Sequence, residues 1–208
     1  MSPARRRLSA GLVLIAITIV IGSAVTWLGE PSIDEVAVRE ASSLRDGAIG
    51  DALVVASKVG YLRVLGPLAL VIALALGIAL NRWRDGLLVA FATAGAAVLT
   101  RLLKEIFERA RPTDGVELLA GGFSMPSGHA TTSAAFAMSL MLVARTGRGA
   151  LALRVLVIAF ALVVALSRVV LGVHYPTDVL AGLCSGTGFA LVLASLLHAE
   201  RDAVAAPR

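Results

Sequence analysis

The sequence predicts an all-α membrane protein, a polytopic bundle of about six transmembrane helices with an interfacial helix between the first two. Two observations lead to this fold class. The 208-residue chain is 58% hydrophobic and only 16% charged, with a mean hydropathy of +0.87, which is outside the range of soluble globular domains. Its apolar residues also form runs close to the roughly 20 residues that a helix needs to cross the hydrocarbon layer.

The apolar runs define the six predicted transmembrane helices in chain order. Because the bilayer core offers no water to the backbone, each run is expected to form a continuous helix. The runs are Leu8 to Leu28, Val59 to Leu80, Leu87 to Phe107, Ala130 to Ala144, Leu151 to Leu171 and Val179 to His198. The fourth is short and rich in Ser, Thr and Ala, a composition that predicts a buried helix packed through small residues.

The segment between the first two helices differs in character from the apolar runs. Residues 31–57 mix acidic, basic and apolar side chains, which predicts an amphipathic helix lying on the membrane surface. The first helix follows three arginines, as a signal peptide would, but its apolar run is too long for one. No linker interrupts the chain, so a single membrane domain spanning residues 1–208 is expected.

The basic character of the chain does not indicate a nucleic-acid partner. The net charge is +5, but the Lys and Arg residues are scattered between apolar runs without an aromatic stacking surface. With the amino terminus in the cytoplasm, ten of the 19 basic residues lie inside, so the positive-inside tendency favours this orientation only if several outer residues serve another purpose. The lone Cys184 excludes an intramolecular disulfide and a thiolate metal cluster.

Three groups of polar residues occur where a membrane chain is expected to avoid them. They are Lys104 with Arg111 and Pro112, the tetrapeptide Pro126 to His129, and Ser167 and Arg168 followed by His174 and Asp178. All three lie in or beside the loops that follow the third and fifth predicted helices. Because these loops must lie on the same side of the membrane, the three groups are predicted to form one pocket.

The cationic residues of these groups suit a phosphate ligand. Lys104, Arg111 and Arg168 supply an ammonium and two planar guanidinium groups for phosphate oxygens. Ser127 and the backbone amide of Gly128 add neutral donors, and a helix amino terminus just after them favours an anion.

The histidines of the pocket suit a two-step displacement. His174 and Asp178 are four residues apart, so a helical conformation would place them on one face, where the carboxylate fixes the imidazole tautomer. His174 is therefore the candidate nucleophile. His129, on the other loop, is the candidate acid that protonates the departing oxygen and the base that later activates water.

The spacing of these residues resembles a known three-part signature. KxxxxxxRP at residues 104–112, PSGH at 126–129 and SRxxxxxHxxxD at 167–178 are similar to the motifs of the type 2 phosphatidic acid phosphatase superfamily, which also includes glucose-6-phosphatase and the vanadium haloperoxidases. The resemblance implies that His174 forms a phosphohistidine, that Asp178 orients it and that His129 protonates the leaving group. It also implies a reaction that needs no metal or other cofactor.

The resemblance implies a lipid phosphate substrate. With the amino terminus in the cytoplasm, the active site is expected to face outward, and a bacterial cytoplasmic membrane is the expected location. Undecaprenyl diphosphate, phosphatidylglycerol phosphate and phosphatidic acid all remain candidate substrates. The expected partners are this lipid phosphate and the surrounding membrane lipids, with no nucleic acid and no obligate protein partner. A lipid transporter or scramblase and a vanadate-dependent oxidase are the alternative functions.

The remaining polar residues near the predicted helix ends are expected to be structural. Arg101, Glu105, Glu108 and Arg109 crowd the end of the third helix, and Glu105 and Arg109 have the spacing of a helical ion pair. His198 has no polar neighbour in the sequence, so neither a catalytic nor a metal-binding role is expected for it.

Overall fold

The computed structural model describes residues 1–113, 122–144 and 146–204, and within these ranges the chain is all-helical. Eight α-helices follow one another: α1 (Pro3–Leu28), α2 (Ser32–Ala41), α3 (Gly47–Val59), α4 (Leu62–Leu74), α5 (Trp83–Phe107), α6 (Gly128–Val143), α7 (Arg148–Val170) and α8 (Pro176–Val204). A π-helical turn at Ala75–Ala79 extends α4. The predicted all-α fold class is confirmed.

Five helices are long and apolar enough to cross a membrane: α1, α4 with its π-helical extension, α5, α7 and the Pro176–His198 part of α8. The fourth predicted membrane helix, α6, has only 16 residues and lies among the others, in contact with α4, α5, α7 and α8. Eleven of its 16 residues are buried. Its small side chains therefore serve packing against neighbouring helices, as their composition indicates.

The contact between α6 and α8 depends on glycine. A β-carbon on Gly186 would lie 2.1 Å from the carbonyl oxygen of Thr131, and one on Gly182 would lie 2.7 Å from that of Ser127. The two helix backbones approach so closely that only residues without a side chain fit between them. This contact holds the first turn of α6, which carries the PSGH motif, against the first turns of α8.

The interfacial segment contains two helices, so the prediction of one amphipathic helix is wrong in this detail. A short 3₁₀ turn at Ser42–Leu44 follows α2, and α3 begins at Gly47, whose φ of +80° is a left-handed conformation that breaks helical continuity. The two helices pack against α7. On α2, Asp34 and Val38 face the protein interior.

Candidate active site

His174 lies in the turn between α7 and α8 with its side chain buried beside Asp178. The two do not share a helical face, because α8 begins only at Pro176. They meet because Asp178 is in the first turn of α8 and its side chain reaches back along the chain. The distance from His174 Nδ1 to Asp178 Oδ2 is 3.4 Å, and the two side chains are 2% and 0% exposed.

Asp178 is fixed by contacts that do not involve the imidazole. Its Oδ2 accepts hydrogen bonds from the backbone N–H of Tyr175 at 2.9 Å and from Ser124 Oγ at 2.5 Å. Its Oδ1 accepts from Arg109 Nη1 at 2.7 Å. Asp178 is the third residue of α8, and its carboxylate accepts the backbone N–H of the residue just before the helix, as the acidic residue of a capping box does. The helix dipole also favours its negative charge. The carboxylate is thus already oriented when it meets His174.

The second ring nitrogen of His174 faces a guanidinium group. Arg111 Nη1 lies 3.2 Å from His174 Nε2 and also donates to the carbonyl oxygen of Val173 at 2.9 Å. Because a guanidinium only donates, Nε2 must accept, which assigns the ring proton to Nδ1 on the side of Asp178. The arrangement leaves the Nε2 lone pair directed into a positively charged region.

The protonation state of His174 suits a nucleophile. Burial lowers the pKa of His174 to about 4, against the opposing effect of Asp178, and the positive charges of Arg111 and Lys104 lower it further. The imidazole is therefore neutral at physiological pH, and its Nε2 keeps a lone pair.

Lys104 and Arg168 bring the first and third signature groups to the same place. Lys104 Nζ donates to the carbonyl oxygens of Phe123 and Ser124, the latter at 3.1 Å, and so fixes the loop segment that precedes the PSGH motif. Arg168 is 2% exposed; its guanidinium donates to Ser57 Oγ on α3, and its carbonyl oxygen accepts the backbone N–H of His174 at 3.2 Å.

The PSGH motif forms the start of α6, with Ser127 preceding the helix and Gly128 as its first residue. The backbone N–H of Ser127 donates to the carbonyl oxygen of Asp178 at 3.0 Å, so the motif is tied directly to α8. Ser127 Oγ and His129 Nε2 are buried, and neither has a hydrogen-bond partner among the described residues. Two buried polar atoms left open beside a cationic cluster are consistent with a bound anion.

The eight residues predicted to form the site are thus brought to one end of the bundle. His129 interacts electrostatically with Arg168, His174, Arg111 and Lys104, which come from the other two signature groups. The described residues contain no group of three or more His, Cys, Asp or Glu side chains arranged to hold a metal ion.

Arg109 belongs to this site as well, although the sequence indicated an ion pair with Glu105. Helix α5 ends at Phe107 because Glu108 adopts a left-handed conformation with φ of +47°, which turns Arg109 into the bundle. Arg109 is 5% exposed and is sandwiched between two carboxylates, Asp178 at 2.7 Å and Asp34 at 2.8 Å. The helical ion pair was predicted wrongly because the helix ends before position 109.

Asp34 connects the interfacial helix α2 to the start of α8. Besides Arg109, it accepts hydrogen bonds from the backbone N–H of Thr177 at 3.1 Å and from the Thr177 hydroxyl. Burial acts to lower the pKa of Arg109, but Asp178 and Asp34 outweigh it and hold that pKa above its ordinary value. The Arg109 guanidinium also stacks on the Tyr175 ring, 4.1 Å from its centroid.

Sequence reasoning missed Ser124, Arg109 and Asp34. Ser124 lies two residues before the PSGH motif, and nothing in its local sequence distinguishes it. Asp34 carried one signal, since it shares a helical face with Val38 in an amphipathic segment. An acidic residue on the buried face of a surface helix needs a cationic partner, and Arg109 is that partner.

His198 also has a partner that the sequence did not show. Its Nε2 lies 2.8 Å from Asp85 Oδ1, while Arg82 Nε donates to Asp85 Oδ2 at 2.6 Å. This cluster joins α5 and α8 at the end of the bundle opposite the candidate site. It gives His198 a structural contact.

Comparison with known proteins agrees with this site and fold. The model of the PAP2 superfamily matches residues 68–202. Phosphatidylglycerophosphatase B of Bacillus subtilis is 28% identical over 173 residues, which cover 81% of this chain and 85% of that protein. Lipid A 1-phosphatase of Rhizobium johnstonii is 35% identical over 114 residues, half of this chain and 44% of that protein.

A solved structure shares the fold over nearly the whole chain. The crystal structure of a transmembrane PAP2-type phosphatidylglycerolphosphate phosphatase from Bacillus subtilis superposes with a TM-score of 0.79 at 24% identity, covering 95% of this chain and 98% of that one. The family match includes all three signature groups and about two thirds of the sequence. This chain is therefore an integral membrane protein that belongs to the PAP2 superfamily.

Proposed function

We propose that this protein is a phosphatase that hydrolyses a lipid phosphate or diphosphate through a phosphohistidine formed on His174. The observation that carries the proposal is the pairing of the imidazole: Nδ1 faces Asp178, and Nε2 lies 3.2 Å from Arg111. A neutral ring with its lone pair beside a phosphate-binding cation is arranged to attack phosphorus.

The reaction proceeds in two displacements. His174 Nε2 attacks phosphorus as the bond to the leaving oxygen breaks, and His129 donates a proton to that oxygen. His129 then takes a proton from water, the water oxygen attacks phosphorus, and the P–N bond breaks to release inorganic phosphate. Asp178 stabilises the positive charge that His174 carries while it is phosphorylated.

The transferring phosphoryl group is held by the cations that surround the two histidines. Lys104, Arg111 and Arg168 would bind its equatorial oxygens, where negative charge concentrates in the transition state. Ser127 Oγ and the Gly128 backbone N–H would add two neutral donors. This set neutralises the phosphoryl charge with side chains alone, so we propose that no metal ion is needed.

The proposed substrate is a membrane lipid. Undecaprenyl diphosphate, phosphatidylglycerol phosphate and phosphatidic acid all place a terminal phosphate at the membrane surface, and the candidate site lies at one end of the helix bundle. The names of two relatives, phosphatidylglycerophosphatase B and lipid A 1-phosphatase, support a lipid phosphate. We further propose a bacterial cytoplasmic membrane, with the amino terminus in the cytoplasm and the site facing outward.

A phosphate-release panel tests the proposal. The purified protein in detergent is offered undecaprenyl diphosphate, phosphatidylglycerol phosphate, phosphatidic acid and a soluble sugar phosphate, with and without EDTA. We expect release from at least one lipid, a preference over the sugar phosphate, and no effect of EDTA. Rapid quenching should trap a phosphoprotein that is labile in acid and stable in base. If the protein releases phosphate from none of the three lipids, the proposal is contradicted.

A further inference from the structure

A cavity of about 310 Å³ lies beside the proposed proton donor. It is bounded by the first turn of α4, the last turns of α5 and the first turn of α6. Leu62 and Ala97 contribute apolar walls, and Lys104, Gly128 and His129 form its polar end. Tyr61 also lines the cavity and packs edge-on against the His129 ring, with the two centroids 4.3 Å apart.

The lining residues indicate which part of a substrate enters this cavity. His129 and Lys104 line it, whereas His174 and Arg111 do not. In an in-line displacement the attacking nitrogen and the leaving oxygen lie on opposite sides of phosphorus. Because His174 attacks and His129 protonates the leaving oxygen, the cavity is on the side of the leaving group.

Arg101 also lines the cavity. It lies one helical turn before Lys104 on α5, about 5 Å deeper along the axis. Within the described ranges Arg101 forms neither an ion pair nor a side-chain hydrogen bond, and it does not pair with Glu105 one turn further on. The Arg101 side chain is exposed, so its guanidinium is accessible to a ligand that enters the cavity.

We propose that Arg101 binds a second phosphate carried by the leaving group of the substrate. This inference rests on the proposed function and narrows its substrate class to lipids with two phosphates, either a diphosphate or a phosphodiester next to the terminal phosphate ester. Lys104 then contacts the transferring phosphoryl group, and Arg101 contacts the phosphate that departs with the lipid. Phosphatidic acid, whose leaving group has no phosphate, gains nothing from Arg101.

Comparison of substrates in an Arg101→Gln variant tests this inference. The value of kcat/KM is measured for undecaprenyl diphosphate, phosphatidylglycerol phosphate and phosphatidic acid. We expect the ratio of kcat/KM for a two-phosphate lipid to that for phosphatidic acid to fall at least about tenfold, the effect of losing one charge-assisted hydrogen bond to the substrate. A fall with only the diphosphate or only the phosphodiester identifies which of the two the site takes.

The control separates this effect from a general loss of positive charge. Arg148 is exposed at the start of α7, so Arg148→Gln removes the same charge at the opposite end of the bundle and should leave the ratio unchanged. Arg101→Lys should retain part of the preference. An equal fall with all three lipids, or no fall, overturns the inference while the proposed function stands. Absence of phosphate release by the unmodified protein overturns the proposed function itself.

Discussion

The two ends of the bundle carry the same trio of side chains in different surroundings. At one end His174 contacts Asp178, which binds Arg109; at the other His198 contacts Asp85, which binds Arg82. We call these the outer trio and the inner trio, after the proposed orientation in the membrane. The inner contacts are at least as short, with 2.8 Å between His198 and Asp85 against 3.4 Å in the outer pair. Proximity of a histidine and an aspartate therefore does not distinguish a catalytic pair from a structural one.

The difference lies in what the other groups of each trio contact. In the outer trio the second imidazole nitrogen, Nε2, contacts Arg111, and Arg109 binds a second carboxylate, Asp34. In the inner trio Arg82 donates to the carbonyl oxygen of Val143 at the end of α6. The outer trio is directed toward a cationic pocket, whereas the inner one joins the ends of three helices.

The largest expected effect is the difference in activity between His174→Ala and His198→Ala. His174→Ala removes the nucleophile, so we expect phosphate release to fall at least about 10³-fold. His198→Ala should leave activity within about threefold but lower the free energy of unfolding by about 1–3 kcal/mol, because Asp85 loses a buried hydrogen-bond partner. Phosphate release and thermal unfolding of both variants in detergent measure these effects. Equal losses of activity would show that the comparison between the trios is wrong.

Much of the fold was predictable because the membrane restricts the choices. Apolar runs of sufficient length must be helices, and all six predicted runs are helical. The convergence of Lys104, His129 and His174 was also predictable, since loops separated by two membrane helices lie on the same side. This prediction needed only the membrane topology and no knowledge of how the helices pack.

The contacts that orient Asp178 were not predictable from the sequence. Ser124 and Asp34 are distant from it in sequence and carry no motif, and Arg109 reaches the site only because α5 ends at Phe107. The pairing of His198 with Asp85 joins residues 113 positions apart. Such pairs depend on how the helices pack, which helical periodicity does not specify.

The pH dependence of stability sharpens the comparison. The pKa of folded His174 is lowered to about 4, below the 6.5 of an unfolded histidine. The unfolded chain therefore binds a proton first, so stability is lost as the pH falls from about 6.5 to about 4. By linkage the loss attributable to this group at pH 4.5 is roughly 2–3 kcal/mol.

Thermal unfolding of the unmodified protein and of His174→Asn, measured at pH 7 and pH 4.5, tests this expectation. Asparagine does not titrate, so the variant should lose less stability on acidification than the unmodified protein. Parallel losses in the two proteins would mean that His174 is not held neutral by its surroundings.

The smallest expected effect concerns Asp34, a second carboxylate with no counterpart among the described contacts of the inner trio. Asp34→Asn keeps the shape and the hydrogen bond from the Thr177 backbone but removes the charge opposite Arg109. Arg109 then draws more strongly on Asp178, which becomes a weaker acceptor for the His174 ring when that ring turns positive. We expect kcat to fall about tenfold with little change in KM, because the lost interaction acts in the transition state.

The neighbouring Glu35 provides the matched control for Asp34. It lies on the same helix but is exposed, so Glu35→Gln removes the same charge from α2 without touching Arg109 and should leave kcat unchanged. The acid limb of the pH profile of kcat/KM adds a readout that a purely structural role would not move: it should shift further toward acid in Asp34→Asn, since an uncompensated Arg109 disfavours the charged imidazole. A rise in KM alone, or equal effects of the two substitutions, would mean that Asp34 only anchors α2. A fall in kcat confined to Asp34→Asn would instead show that the outer trio depends on its second carboxylate, and hence that the interfacial helix is part of the catalytic machinery.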